Sequence, residues 1–175
     1  MQNGNRISEI AVRSRVGVVI SRYNAVVTDQ LLSGARSVLG SPTDVEAPGA
    51  YELPAITAAM ASSGAFDGVL ALGCVIKGET DHDRYIDHAV AEGLMSIAVT
   101  TGVPVGFGVL TCSTIEQAVA RAKPASEGGG DKGAEAASAL LATIDQLKRI
   151  ASGGAKPGRT LDLPFTPSDK ARGQR

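Results

Sequence analysis

The chain has 175 residues, 43 % of them hydrophobic, and its 17 basic and 18 acidic residues leave a net charge of −1. That much apolar material in a chain of this length describes one soluble folded domain with a core, and it excludes a disordered protein. Balanced charge, without a basic stripe or a basic amphipathic helix, argues against nucleic acid or a membrane surface as partner.

In chain order, residues 1–14 read as an N-terminal arm. The stretch "MQNGNRISEIAVRSRV" lacks the apolar core of a signal peptide, and no run reaches the roughly 18 apolar residues of a membrane span. "RVGVVIS" (15–21) is an apolar β-branched run that predicts a strand, and "TDQLLSGARSVLG" (28–40) carries Leu31, Leu32, Ala35, Val38 and Leu39 at helical spacing. "DVEAP" (44–48) is a short strand, and "ELPAITAAMASSG" (52–64) a helix with Pro54 in its first turn and Gly64 as its stop. "DGVLALGCVI" (67–76) is apolar at nearly every position, as in a strand covered on both faces, and a helix follows over 83–102. "PVGFGVLT" (104–111) gives a fourth strand, "TIEQAVARA" (114–122) a short helix, and residues 131–152 a long closing helix.

Alternation of this kind predicts a three-layer α/β/α, flavodoxin-like domain over residues 15–152, built on a four-stranded parallel sheet. The connection "KPASEGGGDKG" (123–133) reads as flexible. Residues 153–175 lose all periodicity, and Lys156, Arg159, Lys170, Arg172 and Arg175 outnumber Asp162 and Asp169 there, so they read as a disordered tail. Within it "LDLPF" (161–165) is either a docking segment or plain tail. Cys74 and Cys112 lie in or beside apolar runs with neither metal-ligand spacing nor a CxxC pattern. They read as buried free thiols of a protein in the reducing cytoplasm.

In a parallel α/β sheet, ligands bind beyond the carboxyl ends of the strands, where helix N-termini offer amides to anions. Four polar interruptions fall at such ends: "SRYN" (21–24), "APGAYE" (47–52), "KGETDH" (77–82) and "TCST" (111–114). Gly78 permits a sharp turn, after which the amides of Glu79 and Thr80 would face a phosphate. Tyr23 and Tyr51, two of the chain's few aromatic residues, suit a planar ligand, and Glu52 suits hydroxyl groups. Each stretch also has a structural reading. "PGAYELP" serves as a turn before a helix, "KGETDH" as a capping sequence, His82 as an ordinary helix-start residue, and Arg121 and Lys132 as solvated charges. His88 falls on a different helix face from His82.

Six ordered blocks go further. "ISRYNAVVTDQLLSGA" (20–35), "APGAYELP" (47–54), "GCVIKGETDH" (73–82), "GVPVGFGVLT" (102–111), "IEQAVARA" (115–122) and "DKGAEAA" (131–137) together resemble the successive motifs of the lumazine synthase family. The resemblance covers about residues 15–150. It implies condensation of 5-amino-6-(D-ribitylamino)uracil with 3,4-dihydroxy-2-butanone 4-phosphate, releasing phosphate and water, with no metal and no organic cofactor. Two alternatives stay open: an archaeal-type riboflavin synthase, faintly echoed by "DRYIDHA", and a non-catalytic lumazine or flavin carrier.

By the same resemblance His82 is the general acid/base, and Tyr23, with the adjoining Asn24, belongs to the aromatic wall against the uracil. Ala50, Tyr51 and Glu52 receive the ribityl chain, and Cys74, Val75 and Ile76 present backbone to the pyrimidine edge. Glu79 and Thr80 form the phosphate loop with Arg121 as its cation and Lys132 nearby, while Phe107 serves a neighbouring subunit. Asp83 stands where many members carry an aromatic residue. The family's homopentamer is the expected assembly, with a decamer possible in principle. A shell is disfavoured by a connection at 123–133 longer than in shell-forming members and by the cationic tail.

Overall fold

The computed structural model describes residues 2–154. Four strands, β1 (Val16–Ser21), β2 (Thr43–Ala47), β3 (Gly68–Ile76) and β4 (Val105–Cys112), form one all-parallel sheet in the order β2-β1-β3-β4. The helices are α1 (Gln2–Val12), α2 (Ala25–Leu39), α3 (Leu53–Ser62), α4 (His82–Thr101), α5 (Ile115–Ala122) and α6 (Lys132–Ala151). The expected three-layer architecture is therefore observed.

Side-chain alternation along the strands divides the core in two. Val16, Val18 and Ile20 of β1, Leu70, Leu72 and Cys74 of β3, and Leu110 and Cys112 of β4 pack against α2, α5 and α6. Val19, Val69, Ala71, Val75 and Val109 point the other way, onto Leu53 and Met60 of α3 and Val90 and Leu94 of α4. Each fully buried Leu, Ile or Val contributes about 1.5–3 kcal/mol relative to exposure. β3 lies between β1 and β4 and is covered on both sides, which is why its sequence is almost unbroken in apolar residues. β2 lies at an edge and carries Asp44 and Glu46, charges that discourage further strand pairing.

Two segments differ from their sequence reading. The N-terminal arm is helical over Gln2–Val12, with Ile7, Ile10 and Ala11 at helical spacing packed against the core and an Arg6–Asp145 ion pair tying it to α6. The connection read as flexible is a hydrogen-bonded turn. Gly130 N–H donates to the Ala120 carbonyl at 2.9 Å, Asp131 N–H to the Lys123 carbonyl at 2.8 Å, and Gly129 N–H to the Pro124 carbonyl at 3.1 Å. The Asp131 carboxylate accepts from the N–H of Ala125 and, as helix cap, from that of Ala134. Two of the glycines there are steric: a Cβ on Gly129 would lie 2.2 Å from the Lys123 carbonyl oxygen and one on Gly130 3.1 Å from that of Arg121, while Gly128 takes a left-handed φ of 76°. The tail and its "LDLPF" island, at residues 155–175, lie outside the described residues.

Candidate active site

The four polar interruptions do converge at the carboxyl ends of the strands. A cavity of about 450 Å³ opens there, lined by Tyr23, Asn24, Gly49, Ala50, Tyr51, Glu52, Cys74, Val75, Ile76, Gly78, His82, Asp83 and Ile86.

Its floor is a consequence of register. β1 pairs with β3 only as far as Ile20 opposite Leu72, whereas β3 continues to Ile76 against Cys112 of β4. Gly73–Ile76 therefore overhang β1, and backbone groups on that side of β3 have no strand to pair with. Asn24, held at φ 62°, donates from Nδ2 to the Cys74 carbonyl at 3.0 Å and so fills part of the gap. Strand alternation puts the N–H and C=O of Ile76 on the same side, facing the cavity. The contribution of "GCVI" is thus its main chain. Burial, with the neighbouring Cys112 and Asp87 charges, pushes the Cys74 thiol up to about 12, which removes it as a nucleophile at neutral pH.

The walls are polar and aromatic. Tyr23 and Tyr51 flank the mouth, 71 % and 64 % exposed. Gly49 also borders the cavity, where a Cβ would lie 2.9 Å from the Glu52 Oε2. Glu52 occupies the N-cap position of α3 without bonding it, which leaves its carboxylate available.

His82 opens α4. Its Nδ1 and the Thr80 Oγ1 are 2.6 Å apart, an arrangement that fixes the ring and leaves Nε2 as the nitrogen for chemistry. A Cβ on Gly78 would lie 3.0 Å from the imidazole Cε1, so the ring folds back over a position that only glycine leaves empty. The N-cap residue Asp81 makes no side-chain cap bond, and the first-turn amides of α4 retain their positive end. The Thr80 hydroxyl is engaged with His82, which leaves the main-chain amides as the groups free for an anion.

Five expected site residues lie outside the cavity: Glu79 and Thr80, just ahead of α4, and Arg121, Phe107 and Lys132. Arg121, on the last turn of α5, is near enough to Cys112 for its charge to oppose the burial that raises that thiol. Phe107, half-exposed on the edge strand β4, lines a separate recess of about 200 Å³ with Lys132. Lys132 is paired there with Glu135 at 2.5 Å.

Asp83 and Asp87 are the feature that sequence reasoning undervalued. Asp83 is buried, and the Oδ1 atoms of both residues have no hydrogen-bond partner among the described residues. Burial raises the Asp87 carboxyl and the Asp83 charge raises it further, while a hydrogen bond from Thr111 and the charge of His88 oppose the shift. The i, i+4 spacing was the available signal, since it places both carboxylates on one helix face. The apolar positions Val90 and Leu94 on the same helix mark that face as the inner one.

The sequence profile of 6,7-dimethyl-8-ribityllumazine synthase matches residues 13–148. The chain belongs to the 6,7-dimethyl-8-ribityllumazine synthase family. It is 47 % identical over 146 residues to 6,7-dimethyl-8-ribityllumazine synthase 1 of Caulobacter vibrioides, covering 79 % of this chain and 94 % of that protein. It is also 47 % identical over 148 residues to the 6,7-dimethyl-8-ribityllumazine synthase of Edwardsiella ictaluri, covering 80 % and 93 %. Membership makes the chain a transferase of riboflavin biosynthesis that forms 6,7-dimethyl-8-ribityllumazine, and it selects that reading over the two alternatives.

Proposed function

We propose that the rim cavity holds 5-amino-6-(D-ribitylamino)uracil and that the phosphate of 3,4-dihydroxy-2-butanone 4-phosphate sits at the start of α4. The observation that carries this reading is one cavity bordered by the β3 overhang, two tyrosines, Glu52 and His82. The overhanging main chain at Cys74–Ile76 supplies paired donors and acceptors for a pyrimidine edge. Tyr23, with Asn24 beside it, stacks on the ring, and Ala50, Tyr51 and Glu52 line the path of the ribityl chain. The Glu79 and Thr80 amides hold the phosphate with Arg121, and Lys132 adds charge from the neighbouring recess.

His82 then moves protons. Imine formation, phosphate elimination and ring closure each require one, and an imidazole with Nδ1 held by Thr80 presents Nε2 to do it. Holding two substrates together supplies much of the remaining acceleration.

Phe107 belongs to a neighbour's site in this reading. It borders a recess outside the cavity, and its strand β4 is the edge strand across β3 from β1. One site per interface requires head-to-tail packing that closes into a ring. Exposed Tyr85, Met95 and Val99 on α4 provide apolar surface for such contacts. A homopentamer, or a decamer of two rings, is the proposed assembly rather than a shell. The hydrogen-bonded 123–133 turn leaves the length of that connection, not mobility, as the support for this preference. Two buried free thiols suit the cytoplasm.

The test is formation of the lumazine chromophore from the two substrates by wild type, Tyr51→Ala and Glu52→Ala. Raised KM for the aminouracil in both variants supports the placement, and unchanged constants overturn it. Light scattering decides the assembly: a mass of five or ten chains agrees, whereas an active monomer sinks the shared site.

A further inference from the structure

We propose that Asp83 is a specificity-determining residue of the cavity, accepting a hydrogen bond from an N–H or O–H donor of the uncharged aminouracil substrate. The proposal rests on the reading of the cavity as the aminouracil site. It assigns that site a contact which the family resemblance does not, since by that resemblance many members carry an aromatic residue where this chain has Asp83.

Three observations lead to it. Asp83 is only 7 % exposed yet borders the cavity, so its small accessible part faces ligand space. Its Oδ1 lacks a hydrogen-bond partner among the described residues, although a buried carboxylate oxygen left unpaired is strongly unfavourable. Its helix neighbour Asp87, one turn on, also has an unpartnered buried Oδ1, so the fold supplies neither of these oxygens with a donor. Among the described residues no group of three or more His, Cys, Asp or Glu is placed to hold a metal.

The charges around the pair select the ligand group. His82 and His88 share its helix, Cys74 on β3 and Cys112 on β4 are coupled to Asp87, Thr111 hydrogen-bonds Asp87, and Arg121 acts on Cys112. Asp87, raised by burial, takes up a proton before an ordinary aspartate does, which limits the repulsion within the pair. The phosphate group of the other substrate is an anion and offers a carboxylate no hydrogen-bond donor. The aminouracil is uncharged and rich in N–H and O–H donors, and one of these completes the carboxylate when it enters. Unfavourable burial in the free protein thereby becomes discrimination in the complex.

The experiment compares Asp83→Asn and Asp83→Leu with wild type in the assembled enzyme, measuring both Michaelis constants and thermal melting. A charge-assisted hydrogen bond corresponds to about ten- to hundredfold in affinity. The expected result is a rise of about tenfold or more in KM for the aminouracil, a change within about twofold for the butanone phosphate, and a melting temperature equal to or above wild type. A merely structural carboxylate would instead lower the melting temperature and leave both constants alone. That result, or equal rises in both constants, overturns the proposal. If Asp83→Leu fails to fold, the isosteric Asp83→Asn decides. Calorimetric titration of the aminouracil alone separates this idea from its parent: no binding to wild type removes the cavity reading, whereas equal binding to wild type and Asp83→Asn removes only the role of Asp83.

Discussion

Asp67 and the Asp83–Asp87 pair lie at opposite ends of one sheet, and their carboxylates are completed in opposite ways. Before β3, at the amino ends of the strands, Asp67 accepts from the Arg15 main-chain N–H at 2.8 Å and from its guanidinium at 3.3 Å, with Lys148 at 3.4 Å. Burial alone would raise the Asp67 carboxyl, but these partners outweigh it and hold it below the usual aspartate range. After β3, at the carboxyl ends, burial dominates at Asp87, and neither Asp83 nor Asp87 has its Oδ1 satisfied. The lower end is closed by the protein's own groups. The upper end leaves main-chain and side-chain groups open for something else to close, as expected where a site is maintained against stability.

The comparison predicts that substitutions at the upper rim change activity with little effect on melting, and that those at the lower end do the reverse. The largest effect belongs to His82→Asn. It should lower kcat by about ten- to a thousandfold, because positioning of the substrates survives loss of the proton carrier. Single-turnover absorbance measures this, and full activity would remove the imidazole from the chemistry.

Arg121→Ala comes next. The butanone phosphate should lose about ten- to hundredfold in KM while the aminouracil changes little. Equal rises would mean that Arg121 supports the rim rather than the phosphate.

Asp67→Ala sharpens the contrast from the other side. Loss of its hydrogen bonds should destabilise the fold by about 1–2 kcal/mol, or roughly 2–8 °C in Tm, with KM values unchanged. Because the folded carboxyl titrates below the usual range, this contribution is present above that range and is lost as pH falls through the lowered value. Melting curves of wild type and variant should therefore converge in acid.

The smallest effect has the opposite sign. The folded Asp87 carboxyl titrates above the usual range, so its favourable contribution exists only below that range and disappears as pH rises through the raised value. Asp87→Asn should melt about 1–3 °C higher than wild type at neutral pH. The gain should vanish in strong acid, and a variant that melts lower at neutral pH would show the pair to be structurally completed after all.

Local chemistry carried most of the fold in the sequence. The β-branched run of β1, the unbroken apolar run of β3 and the helical spacing of Leu31, Leu32 and Ala35 each specify an element by periodicity alone. Helix α1 was passed over although Ile7, Ile10 and Ala11 have the spacing, because its apolar stripe is short and polar residues surround it. The 123–133 turn was misread as flexible because three consecutive glycines look the same in sequence whether they lend freedom or make room. Here Gly129 and Gly130 make room, against the Lys123 carbonyl and the end of α5, while Gly128 supplies a left-handed turn.

By itself, the sequence determined the order of strands and helices, the rim on which the polar segments fall, and the family whose motifs it carries. These follow from short-range periodicity and from residue types in fixed order. Tertiary structure alone decided that β3 overhangs β1, that Asn24 spends its amide on the Cys74 carbonyl, and that Phe107 and Lys132 stand outside the cavity. It also decided that Asp83 is buried without a partner while Asp67 is fully engaged. Register, burial and hydrogen-bond completion depend on which distant segments meet, and two aspartates that look alike along the chain acquire opposite character from the neighbours that folding brings to them.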